Sequence, residues 1–255
     1  MWTRKELKDS AKNLMSKNYG KMLLVSFIVM VLTGSLFRAG YEVNSNFIMS
    51  DYEVVNNIES TGIGMTLLIN FLPVICLGID VLSVFLPVVI LLGIAYNVFV
   101  ANPISIGEMK FYIKNRKDDG ELHHIFYSFN HNYLNVVKIM VIMYVKLFLW
   151  TLLLIVPGII KAYEYSMIPF ILAENPDIST EEAFALSKRM TDNEKFEMFV
   201  LDLSFLGWYF LGGLLCGIGV VLVSPYKQAT QTELYFKLKE VKNISIEAQE
   251  SIFSE

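Results

Sequence analysis

Between Ile63 and Ala101 the chain carries one charged residue, Asp80, in 39 positions. A run of that length is too long for a buried strand or an ordinary core helix and is characteristic of membrane-crossing segments. It is one of several apolar blocks separated by short charged stretches. Hydrophobic residues reach 54% and charged residues only 18%, with a mean hydropathy of +0.48, a balance shifted away from that of soluble domains. The blocks are too long and too uniformly apolar for barrel strands, which alternate, so an all-α membrane bundle is expected.

Charge placement sets the expected topology. Residues 1–21 hold Arg4, Lys5, Lys8, Lys12, Lys17 and Lys21. That basic region is longer than a secretory leader needs, and no small-x-small site follows the first apolar block, so an uncleaved span is expected. Within it, residues 3–17 have the spacing of an amphipathic helix. Thr3 and Glu6 form a capping-box pattern, Leu7, Ala11, Leu14 and Met15 share a face, and Trp2 suits a headgroup layer. A helix lying on the membrane and one packed on the protein's own cytoplasmic side would both show this pattern.

The first span is expected over about 22–37. Residues 39–62 contain Glu42, Asp51, Glu53 and Glu59 without Lys or Arg, as suits an outside loop. For 63–101 two paths fit. One is a short re-entrant segment at 64–79 followed by a span at about 81–101; the other is two complete spans. The charge pattern favours the first, because 102–133 carries Lys110, Lys114, Arg116 and Lys117 and so belongs inside.

Residues 134–156 and 159–173 read as two spans joined by a tight turn at Pro157-Gly158. A cytoplasmic stretch, 174–196, follows, with a second capping box at Ser179 and Glu182. Residues 197–223 read as a second hairpin turning at Gly217 and Gly219, whose returning arm passes Pro225 and leaves as a helix. The expected architecture is a polytopic membrane helix bundle of about six spans, with two tight hairpins and both termini cytoplasmic. A single membrane domain covers 1–240, and a polar tail covers 241–255. The stretches 99–114 and 222–237 leave apolar blocks through a proline towards an aromatic pair and a lysine, either as an internal repeat or as two similar helix exits.

Four motifs in order, WTLLLIVPGIIK (150–161), PFILAENPDISTEEAFALSKR (169–189), SFLGW (204–208) and SPYKQATQTELY (224–235), resemble the bacterial domain-of-unknown-function 975 family. The opening MWTRKELKDSAK and NPISIG at 102–107 are similar to the same family. The resemblance implies a multi-pass protein of the bacterial cell membrane and brings no reaction and no catalytic residues. Members often carry Gly and basic residues after the Ser-Lys of the cytoplasmic helix. This chain has Thr191-Asp192-Asn193-Glu194 there instead.

Ionisable residues inside apolar spans mark candidate sites, because an unpaired charge at mid-membrane costs several kcal/mol. Lys146, Glu164, Asp202 and Asp80 are the candidates for a ligand or ion pathway. Lys146 and Glu164 stand 11 and 6 residues from Pro157-Gly158, so their depths differ by about 7 Å. An ion pair of Lys146 with Glu164 or Asp202 would either line a polar site or fix helix packing. His123, His124, His131 and Glu121 lack zinc-site spacing, and Cys76 and Cys216 lie in apolar blocks as buried thiols.

No nucleotide-binding, hydrolase or metalloprotease motif occurs, and no basic face suits nucleic acid. The expected role is therefore non-enzymatic and without a cofactor: a binding, accessory or immunity-type factor in the lipid bilayer, with a membrane-protein partner. The alternative is a small transporter or lipid-handling protein with a polar site between the hairpins.

Overall fold

The computed structural model describes residues 2–34, 85–117, 120–214 and 218–244. Among these residues every regular element is helical. Helix α1 spans Arg4–Leu32. Helix α2 runs Phe85–Asn115 and contains a π-helical turn at Asn97–Ala101. A 3₁₀ turn at Leu122–Phe126 leads into the short α3, Tyr127–Asn130. Then come α4 (Tyr133–Leu153), α5 (Ile155–Tyr165), α6 (Ile168–Glu174), α7 (Thr180–Thr191), α8 (Lys195–Leu214) and α9 (Ile218–Val241). Among the described residues four segments are long and apolar enough to cross a membrane: Arg4–Leu32, Phe85–Asn115, Tyr133–Leu153 and Ile155–Glu174.

The N-terminal amphipathic stretch is the first half of α1. Thr3 caps it by accepting from the Glu6 N–H at 3.2 Å. Its apolar face packs on the protein itself: Trp2, Leu7, Ala11 and Leu14 are all buried. Trp2 therefore belongs to the core and not to a headgroup layer, because α9 and α2 pack against α1 and cover that face. The helix kinks at Asn18 (φ −136°, ψ 31°), whose side-chain amide donates to Asn115 Oδ1 at 3.2 Å and ties the kink to the end of α2.

The region 102–133, expected as a loop, is mostly helical. Pro103 does not end α2, because it enters at the first turn after the π-helical segment. Gly107 then lets α2 lie directly on the 3₁₀ turn, since a Cβ there would stand 1.9 Å from the Ile125 carbonyl oxygen.

The first hairpin also turns at a different place. The break is the single extended residue Leu154 (φ −158°, ψ 141°), one turn before the proline. Pro157 sits in the first turn of α5, where a missing N–H is tolerated. Gly158 serves close packing: a Cβ would lie 2.7 Å from Thr151 Oγ1 and 2.9 Å from Thr151 Cα on α4. The capping box at Ser179 and Glu182 opens α7 as expected, with both reciprocal bonds at 3.2 Å. Gly219 lies within the first turn of α9. Gly217, Asp80, Cys76, Cys216, the loop 39–62, the path of 63–80 and the tail beyond 244 lie outside the described residues.

Burial divides the molecule lengthwise. The buried core is built from one face along the length of α1, the second half of α2, the start of α4, α6, α7, the start of α8 and the end of α9. The opposite end presents apolar side chains outward. Leu91, Leu92, Phe148, Leu152 and Ile155 are 66%, 65%, 66%, 73% and 72% exposed. Apolar exposure on this scale marks a surface made for a non-aqueous neighbour.

Candidate functional site

Two polar clusters are buried among these helices. The first centres on Glu164 of α5, which is 5% exposed. Its carboxylate accepts from Lys161 Nζ at 2.7 Å and from Lys195 Nζ at 2.9 Å. Its backbone carbonyl accepts from Ser187 Oγ at 2.6 Å. One residue thus links α5, α7 and the start of α8. Charge-assisted bonds to both oxygens offset the desolvation of the carboxylate.

Asp202 of α8 lies on the next face of the same helices. Tyr163 Oη donates to it at 3.2 Å, and Lys227 Nζ of α9 stands 3.8 Å away. Lys146 joins neither acid. Its ammonium sits 3.8 Å over the ring of Phe184 on α7, a cation–π contact. The acids that sequence spacing offers to Lys146 are held by Lys161, Lys195 and Lys227. Lys161 stands one turn from Glu164 on α5 itself, whereas Lys195 and Lys227 arrive from α8 and α9, and their approach depends on how the helices cross.

The second cluster is absent from the sequence-based candidates. Glu108 of α2 is 5% exposed. Its Oε1 accepts from Ser26 Oγ of α1 at 2.9 Å, and its Oε2 accepts from Gln228 Nε2 of α9 at 3.3 Å. Tyr112, one turn further along α2, lies 2.9 Å from the same Ser26 hydroxyl. Ser26 has one proton and gives it to Glu108, so Tyr112 is the donor to Ser26. Among the described residues no cation forms an ion pair with Glu108. A cavity of about 290 Å³ adjoins it, lined by Val29, Met30, Thr33, Ser105, Tyr209 and Ser224 as well as Glu108 and Gln228.

A span ending at Ala101 leaves Glu108 in a watery loop, which is why sequence reasoning misses it. The signal in the sequence is the i, i+4 pair Glu108 and Tyr112 on one face with Ile104 and Phe111, which continues the helix beyond Pro103.

A third polar region lies where α9 leaves the bundle. Lys239 donates to Glu174 at 2.6 Å, as does the buried Tyr235 hydroxyl at 2.6 Å. Burial and the Glu174 charge push the Tyr235 phenol well above its ordinary range. Arg116 pairs with Glu233 at 2.9 Å beside a cavity of about 360 Å³, where Lys237 also meets Glu6 and Glu240. The histidines lie apart from these clusters: His123 contacts Glu121 at 3.0 Å and His131 bonds the Tyr127 carbonyl. Among the described residues no group of three His, Cys, Asp or Glu side chains has metal-site geometry.

Among the described residues the molecule is all-helical, with four segments long and apolar enough to cross a membrane and with Glu108 and Glu164 buried between helices. The segment that holds Glu164, Ser187, Lys195 and Asp202 matches a family model described as protein of unknown function (DUF975), over residues 152–242. The resemblance to the domain-of-unknown-function 975 family is shown over that segment, which begins in the last turn of α4 and ends just past α9. No curated protein and no solved structure matches the chain.

Proposed function

We propose that this chain is a multi-pass integral membrane protein of the bacterial cell membrane, with about six spans and both termini cytoplasmic. It works by binding and not by catalysis, as an accessory or immunity-type factor for another membrane protein. The observation that carries this reading is the closure of Glu164 by Lys161 and Lys195 at 2.7 and 2.9 Å. Charges satisfied within the bundle hold helices together and need no ligand. The exposed apolar end suits lipid. The basic N-terminal helix and the Lys188–Arg189 end of α7 suit the cytoplasmic side.

The alternative, a small transporter or lipid-handling protein, draws its support from the cavity beside Glu108. The test is a cysteine-accessibility scan in intact cells after replacement of Cys76 and Cys216. Single cysteines at positions 146, 164 and 202 are treated with a membrane-impermeant thiol reagent. Silence at 164 and 202 in folded protein is expected for a binding factor. Labelling at 146 and 164 would instead demand a water path through the bundle and favour transport.

A further inference from the structure

Glu108 differs from the other acids held between the helices. Glu164, Asp202, Glu174 and Glu233 each have a lysine or arginine within 4 Å. Glu108 has hydrogen-bond donors instead. The chain from Tyr112 through Ser26 reaches Oε1, and the Gln228 amide reaches Oε2. Donors on both oxygens fit the ionised form, which accepts and does not donate. A carboxylate so deeply buried is neutralised either by a proton or by a positive partner, because hydrogen bonds alone do not replace its hydration, and donors on both oxygens favour the partner.

The cavity beside it is where that partner fits. Thr33, Ser105, Tyr209 and Ser224 bring hydroxyl groups to its lining, and the Thr33 and Ser105 hydroxyls already donate to the Val29 and Ala101 carbonyls at 2.7 and 2.9 Å, which leaves their oxygens to act as acceptors. The remaining wall is apolar and aromatic, from Val29, Met30 and Tyr209. At about 290 Å³ the space is several times that of one water, whose share is about 30 Å³. A bare alkali ion would occupy only a small part of this half-open pocket. A carboxylate, hydroxyl acceptors, an aromatic ring and aliphatic walls together match a charged amine with a short carbon skeleton.

We propose that Glu108 and the adjoining cavity between α1, α2, α8 and α9 form a binding site for a small organic ammonium cation. The inference does not rest on the proposed accessory role: a binding factor and a transporter would use such a site equally. Glu108 itself lies outside the segment matched by the family model, whereas Tyr209, Ser224 and Gln228 of the same site lie within it.

The experiment uses the full chain in lipid nanodiscs and reads thermal stability while ethylammonium chloride is titrated, with sodium chloride at matched ionic strength as control. Saturable stabilisation by ethylammonium is expected, since a ligand that binds only the folded state raises its stability with concentration. Glu108→Gln keeps the shape and removes the charge, and affinity should fall at least tenfold. Ser224→Leu fills the cavity without touching the bonds to Glu108, and it should abolish the response even if the glutamine variant does not fold. No saturable response in the wild type would overturn the proposal, as would an unchanged response in Glu108→Gln or in Ser224→Leu. An equal response to sodium would overturn it in favour of a bare-ion site.

Discussion

The Tyr133 hydroxyl donates at 2.7 Å to the carbonyl of Phe99, the carbonyl whose helical i+4 donor would be residue 103, a proline with no N–H. The first residue of α4 thus supplies what the backbone of α2 lacks, and the π-helical turn is fixed against its neighbour. Tyr133→Phe should lower stability by about 1 kcal/mol, the usual net value of one such bond. In a Pro103→Ala background, where the backbone donor returns, the same change should cost less. Equilibrium unfolding of the four proteins in mild detergent measures the coupling.

Gly107→Ala should be among the most damaging single-methyl changes in the chain. The added Cβ would meet Ile125 backbone atoms at 1.9 and 2.5 Å, and backbone cannot rotate away as a side chain can. A loss of at least about 2 kcal/mol is expected, read as a lower melting temperature and a smaller monodisperse fraction on size exclusion. Gly20, with nothing within 4 Å of where a methyl would stand, is the control site and should tolerate alanine.

Glu164→Gln should lower stability by about 1–3 kcal/mol, because it weakens two charge-assisted bonds in a buried setting. Lys146→Met should cost less than about 1 kcal/mol, since an exposed lysine over one ring is a weak contact. Sequence spacing alone would rank these two together as partners. Chemical unfolding of both single variants and the double variant checks the order, and near-additive losses are expected.

Alkaline stability should depend on Tyr235. Its folded-state pKa lies well above the ordinary 10.0, first through burial and then through the charge of Glu174. The folded state therefore holds the proton where the unfolded chain has released it. The contribution is fully present below about pH 10 and is lost as pH rises above it. Thermal melts from about pH 8 to 12 should fall less steeply for Tyr235→Phe than for the wild type. Equal slopes would mean that Tyr235 titrates normally in the folded protein.

The helix caps are legible residue by residue. Thr3 with Glu6 and Ser179 with Glu182 act within one turn, so local spacing suffices to read them. The same local rule fails at two prolines. Pro103 and Pro157 look like helix ends, yet Pro157 lies in the first turn of α5, where a missing N–H costs little, and Pro103 lies within α2 just past its π-helical turn. Whether a proline ends a helix or begins one depends on the residues that receive the freed carbonyl, and for Phe99 that residue is 34 positions away.

The apolar blocks, the all-helical class and the presence of acids inside the bundle follow from the order of residues, because the cost of burying backbone and charge is set locally. Which cation meets which acid does not. Glu164 selects Lys161 and Lys195 over Lys146, and Glu108 is left with Ser26 and Gln228, from α1 and α9. A buried carboxylate is satisfied only by groups within about 3 Å. Spacing along α5 supplies Lys161, but the crossing of helices distant in sequence decides the rest: Lys195 for Glu164, and Ser26 and Gln228 for Glu108.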